Sequence, residues 1–213
     1  MKGVPLNEEL YQYIIDTFVE EDEALKAVVE NTKQKNFPLI QISPENGKFL
    51  FMLAKMVHSK NILEIGTLTG YSTIWLARAL PEDGKVTTLE ISNEHAAEAR
   101  KNFERAGVQN KIQLILGDAF ESLDKLSNQK FDFVFIDANK ERCSDYFDKV
   151  IGRMNKGGII ATDNTLRDGN VVKQNADEGT KGIQTYNKKV ANDLRVDSLL
   201  IPISDGVTLS FVK

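Results

Sequence analysis

The hydrophobic positions of this chain change period near residue 61. Before that point they recur at helical spacing. From Asn7 to about Lys35, Leu10, Ile14 and Phe18 share one helical face, and Leu25, Val28 and Val29 share another. A loop is expected around Phe37 to Ile42, and Ser43-Pro44-Glu45 has the composition of an N-cap and first turn. The helix it opens is predicted to turn Phe49, Leu50, Leu53, Met56 and Val57 inward.

After residue 61, short apolar runs alternate with amphipathic stretches. Strands are predicted over Ile62–Ile65, Lys85–Glu90, Lys111–Leu116, Phe131–Ile136 and Gly158–Thr162. Helices are predicted over about Ser72–Leu80, about Asn93–Ala106 and between the fourth and fifth strands. This alternation implies an α/β fold with a parallel sheet covered on both faces. The end of the chain departs from it. Leu199–Ile203, a Ser204-Asp205-Gly206 turn and Val207–Val212 read as an antiparallel hairpin. The expectation is one domain over 1–213, with a helical lid or interface segment at 1–60 and the sheet-bearing core at 61–213. The polar stretch Arg167 to Gly182 is too long for a plain connector and is expected to be a substrate-facing loop.

Composition narrows the classes. With 213 residues, 41% of them hydrophobic, the chain can build a full-sized core. A formal net charge of -4 gives no general attraction for nucleic acid or for an anionic membrane. No apolar run approaches the ~20 residues that a membrane helix needs. Met1-Lys-Gly-Val-Pro-Leu-Asn has no apolar signal-peptide core, and the lone Cys143 makes no internal disulfide. A cytoplasmic location is expected.

The segment Asn61-Ile-Leu-Glu-Ile-Gly-Thr-Leu-Thr-Gly-Tyr-Ser72 is a strand that breaks into a glycine turn and enters a helix. Glycine lets backbone approach a ligand closely, and the helix start offers unpaired N–H groups. The spacing E-x-G-x-x-x-G misses the G-x-G-x-x-G of dinucleotide binders, which points away from a nicotinamide dehydrogenase and towards S-adenosylmethionine. Ligands of open α/β sheets lie beyond the C-terminal strand ends. Those ends carry Glu64 and Gly66, Glu90 for two ribose hydroxyls, Gly117-Asp118-Ala119 for an adenine, Asp137, and Asp163 with Asn164. If the fourth and fifth strands are neighbours, Asp137, Asp163 and Asn164 form an all-oxygen donor set suited to Mg²⁺, Mn²⁺ or Ca²⁺. Lys140 follows Asp137 closely, and a neighbouring cation would lower its pKa towards that of a base. His58 and His95 read as helix-surface or helix-end residues, Cys143 as an inert thiol and Trp75 as core.

Ile62-Leu-Glu-Ile-Gly-Thr-x-x-Gly-Tyr-Ser, Phe135-Ile-Asp-Ala-x-Lys140 and Asp163-Asn-x-Leu-x-x-Gly-x-Val resemble the cation-dependent O-methyltransferases. That family contains plant caffeoyl-coenzyme A enzymes, animal catechol enzymes and small bacterial relatives. The resemblance runs from Ile42 to the final hairpin. It implies a Rossmann-like class I methyltransferase fold with a mostly parallel seven-stranded sheet. It also implies that Ile42, Glu64, Gly66, Thr67, Ser72, Glu90, Asp118, Ala119 and Asp137 hold S-adenosylmethionine, that Asp137, Asp163 and Asn164 hold the cation, and that Lys140 is the base. Arg167 is placed in the substrate loop, where plant members typically have Trp, and Asn139 stands where the family usually has Asp. The implied reaction is methyl transfer to one hydroxyl of a catechol, caffeoyl or flavonoid acceptor by a homodimer. The alternatives are a hydroxylated tRNA uridine as acceptor, or a cofactor-binding protein without catalysis.

Overall fold

The apolar runs after residue 61 meet in one sheet of seven strands, in a computed structural model that describes residues 6–213. Met1 to Pro5, on which the reading of the leader partly rests, lie outside the described residues. The strands are β1 (Asn61–Ile65), β2 (Lys85–Glu90), β3 (Ile112–Leu116), β4 (Phe131–Ile136), β5 (Met154–Thr162), β6 (Val196–Ile201) and β7 (Val207–Val212). Their order is β3-β2-β1-β4-β5-β7-β6. The first five are mutually parallel, and β7 runs antiparallel between β5 and β6. The sheet is the expected one.

Eight helices accompany the strands among the described residues: α1 (Glu8–Phe18), α2 (Glu23–Gln34), α3 (Pro44–Met56), α4 (Tyr71–Ala79), α5 (Asn93–Arg105), α6 (Ala119–Lys125), α7 (Cys143–Ile151) and α8 (Glu178–Asn192). Side chains alternate across a strand, so each central strand feeds two cores. Ile62, Phe133, Phe135 and Ile159 pack with Leu25, Leu50, Leu53, Ile74 and Phe103. Leu63, Ile65, Val134 and Ile136 pack on the other face with Leu123, Phe147, Tyr186 and Val190.

The N-terminal helices divide in role. Leu25 and Val28 of α2 and Leu50 and Leu53 of α3 are wholly or nearly buried, whereas α1 buries no residue. Leu10 and Phe18 of α1 stay exposed. Met56 was expected inward and is instead 70% exposed. The buried stripe of α3 runs Asn46, Gly47, Leu50, Leu53 and Ala54, and Met56 falls well to one side of it at 3.6 residues per turn. Ser43 does sit at the N-cap of α3, but its hydroxyl donates to Glu45 Oε1 (2.6 Å) instead of accepting a backbone N–H.

Two helices were not foreseen. Asp118 caps α6, its Oδ1 accepting from Phe120 N (2.8 Å) and Glu121 N (3.2 Å). Asp177 caps α8 in the same way, accepting from Thr180 N at 2.8 Å. The expected loop Arg167 to Gly182 therefore ends inside a helix, and Asp177 followed by Thr180 was the sequence signal for it. His58 lies just past α3, in a turn with φ +50°, and not on a helix.

Candidate active site

At the C-terminal edge of the sheet the backbone ladder runs one bond beyond the strands. Gly117 N donates to Glu90 O (2.8 Å), Gly66 N to Leu89 O (3.0 Å), Asp137 N to Ile65 O (2.9 Å) and Asp163 N to Ile136 O (3.1 Å). The residues that end successive strands are thereby held in a row. Gly66 takes φ +100°, and a Cβ there would lie 2.2 Å from the carbonyl oxygen of Asp137. Only glycine permits the turn from β1 towards α4 to pass so close to the end of β4, at the point where strand order reverses.

A cavity of about 780 Å³ opens above this row. Its wall contains Ile42, Gly66, Thr67, Ser72, Glu90, Asp118, Ala119, Asp137, Lys140, Asn164 and Arg167. Every expected site residue is there except Glu64 and Asp163.

Glu64 is fully buried and points towards α4. Its carboxylate accepts from Ser72 Oγ (2.6 Å), Thr88 Oγ1 (2.6 Å) and the Thr73 hydroxyl. It joins β1, β2 and α4 beneath the glycine turn and does not line the cavity. Burial pushes it up to about 7.

Glu90 lines the cavity and also fixes its floor. Its Oε2 accepts from Leu68 N (2.8 Å) and Thr67 N (3.2 Å), and its Oε1 from Ser92 N (2.8 Å). The glycine turn is thus held through backbone amides by the acid expected to meet a ribose. Asp118 commits one carboxylate oxygen to capping α6.

At the other end Lys140 Nζ lies 2.7 Å from Asp137 Oδ1. Burial opposes the ammonium charge, but Asp137 outweighs it and holds the lysine above its ordinary value. In this pairing Lys140 is a charged partner, the reverse of the lowered pKa expected of a base beside a cation. Asp163 lies just under the wall, 4% exposed, and burial followed by the nearby charge of Asp137 pushes it up to about 7. Two carboxylates crowded in this way, with the Asn164 amide beside them, form a hard-oxygen set that suits a divalent cation. Among the described residues there is no group of three His, Cys, Asp or Glu side chains placed to hold a metal.

From Asn164 onward the loop holds three left-handed non-glycine residues, Asn164 (φ +56°), Arg167 (φ +53°) and Asp168 (φ +52°). It is tied down by Asp168 N donating to Asp205 Oδ1 (2.6 Å). Among the described residues the Arg167 guanidinium has one ion-pair contact, a long one of 3.9 Å with Asp177.

Several residues of the site have no signal in the local sequence. His95 lines the cavity with Nδ1 3.6 Å from Glu90 Oε1, where the sequence suggested an ordinary helix residue. Tyr71 and Arg142 also line it. The Tyr71 hydroxyl is anchored on Glu21 (2.6 Å), and the Arg142 guanidinium sits over the Phe120 ring at 3.5 Å. Cys143 is buried, and burial pushes its thiol up to about 11, consistent with an inert role.

The sequence model of the O-methyltransferase family matches residues 15–213. A catechol O-methyltransferase of Niastella koreensis is 39% identical over 97% of each chain. A caffeoyl-CoA O-methyltransferase of Nicotiana tabacum is 36% identical, over 98% of this chain and 92% of the other. The crystal structure of a Bacillus cereus O-methyltransferase in complex with SAH superimposes with a TM-score of 0.91 at 37% identity, covering 95% and 96% of the two chains.

Proposed function

The chain belongs to the O-methyltransferase family, and from that premise we propose that it moves the methyl group of S-adenosylmethionine to one hydroxyl of an ortho-dihydroxy aromatic, with a divalent cation held by Asp137, Asp163 and Asn164. The observation that carries this reading is the meeting, in one cavity, of the Glu90 and Asp118 end with the Asp137, Lys140 and Asn164 end. A cavity of about 780 Å³ is of the size that takes a nucleoside-bearing cofactor and a small aromatic together.

Each part has a task. The methyl donor supplies an electrophilic carbon on a sulfonium leaving group. The cation supplies a positive charge that favours the phenolate over the phenol. Glu90 and the amides it orders take the ribose, and Asp118 and Ala119 border the adenine. An acceptor hydroxyl with a pKa near that of tyrosine, about 10, is a poor nucleophile until it loses its proton. Lys140 in its neutral form would take that proton; a cation held by Asp137 would relieve the pairing that keeps the ammonium charged. As the new O–C bond forms the C–S bond breaks, and the proton leaves on the lysine. Arg167, on its left-handed loop, borders the acceptor and bears on its choice. The location proposed for the reaction is the cytoplasm. The homodimer is proposed to form through the exposed apolar side chains of α1.

The test is methyl transfer from S-adenosylmethionine to caffeic acid with Mg²⁺, with excess chelator, and with a one-hydroxyl analogue as acceptor. Turnover is expected only in the first case. Undiminished turnover in chelator removes the cation from the mechanism, and equal turnover of the analogue removes the vicinal requirement.

A further inference from the structure

Asn46 is a polar side chain with no exposed surface, and no role in the reaction has been given to it. It lies in the first turn of α3, and its Nδ2 donates to Asp163 Oδ1 at 3.0 Å across 117 residues of sequence. Its own carbonyl oxygen has no hydrogen-bond partner among the described residues. Turning the amide over would set that oxygen against a carboxylate oxygen, so chemistry fixes which end faces Asp163.

A buried amide with one unmet acceptor destabilises a fold, and an apolar residue of the same size would fill the space without that penalty. The surroundings nevertheless hold it in place. Gly47 lets the backbone of α3 press onto α4, since a Cβ there would lie 2.5 Å from the Trp75 ring. The carboxylate of Glu45 accepts from Ser43 Oγ (2.6 Å) and from Tyr11 Oη (3.0 Å), which pins the same turn from its outer side. The result is a rigid first turn aimed at the tip of β5.

We propose that Asn46 is a positioning residue for the cation site: by holding Oδ1 of Asp163, it presents the other carboxylate oxygen towards Asp137 and Asn164. This rests on the cation reading given above. Groups that orient a ligand carboxylate without touching the metal typically change metal affinity 10–100-fold when removed.

The experiment measures Mn²⁺ binding to the full chain, by the electron paramagnetic resonance of free Mn²⁺, alongside calorimetric affinity for S-adenosylhomocysteine. Asn46→Leu keeps the branching and the number of heavy atoms, at a somewhat larger volume, and removes the donor. It is expected to weaken Mn²⁺ binding at least tenfold and to leave S-adenosylhomocysteine binding within twofold. Asn46→Ser disturbs the fold less, cannot reach Asp163, and decides the matter if the leucine variant does not fold. Unchanged Mn²⁺ affinity with a lowered melting temperature would reduce Asn46 to a packing residue and overturn the proposal. Absence of Mn²⁺ binding in the parent chain itself would overturn the cation reading and the proposal with it, a result distinct from a parent that binds and a variant that binds equally.

Discussion

At the scale of single residues, the acids at the strand tips were legible because topology puts those tips on one edge, whatever the loops do. Which way each acid faces was not. Glu64 alternates onto the α4 side and Ile65 onto the other, so the strand-end acid serves β1, β2 and α4 instead of the cavity. Its pH behaviour follows from that burial. The folded-state value is raised to about 7 from an ordinary 4.5. Glu64 therefore contributes most stability below pH 4.5, and this contribution is lost as pH rises through about 7. Glu64→Gln, which has no charge to bury, should gain on the parent by about 3 kcal/mol between those limits. Urea unfolding of both chains at several pH values reads this directly, and parallel stability curves would sink it. Lys140 invites a kinetic test. Lys140→Met should lower kcat by roughly 10²–10⁴-fold and leave S-adenosylhomocysteine affinity unchanged. Losses of equal size in both would show that the lysine holds the site together and moves no proton.

At the scale of elements, the glycine turn was readable from spacing alone, because only glycine can take a positive φ against a neighbouring carbonyl. Gly66 and Gly107 separate the two demands. Both are left-handed, at φ +100° and φ +68°, but a Cβ at Gly66 meets Asp137 O at 2.2 Å whereas one at Gly107 meets nothing within 4 Å. Gly107→Ala should lose about 1 kcal/mol, with cofactor affinity untouched. Gly66→Ala should lose at least about 2 kcal/mol and weaken S-adenosylhomocysteine binding more than tenfold, because the turn must part from β4. Calorimetry and thermal melts on the pair check it, and equal effects at the two positions would show that backbone strain alone is at stake. The helices α6 and α8 escaped the sequence reading. α6 is only seven residues long, and α8 starts at a capping aspartate in a polar stretch, its stripe of Ile183, Tyr186 and Val190 beginning only in the second turn.

At the scale of the whole molecule, a mostly parallel sheet finished by antiparallel strands was implied by alternating strands and helices and by the closing hairpin, though not the order of its strands. The placement of the N-terminal helices was not, since nothing local says that Asn46 must reach the tip of β5 or that Glu21 must meet Tyr71. The same helices pose the last question. α1 has an amphipathic pattern yet buries no residue, and Leu10, Tyr13 and Phe18 remain exposed. In a lone chain those side chains face water, and α1 gains little from packing. Its firm link to the core is Tyr11 Oη on Glu45 Oε2 (3.0 Å), in the turn that carries Asn46. If a second copy covers α1, sedimentation should give twice the 23.9 kDa of one chain. Leu10→Asp combined with Phe18→Asp should then release monomers. Because α1 bears on α3 through Tyr11, those monomers should also bind Mn²⁺ more weakly than the dimer while folding normally. A parent chain that sediments at the mass of one copy would remove the dimer. A monomeric variant with full Mn²⁺ affinity would show that α1 stabilises the assembly but passes nothing to the site.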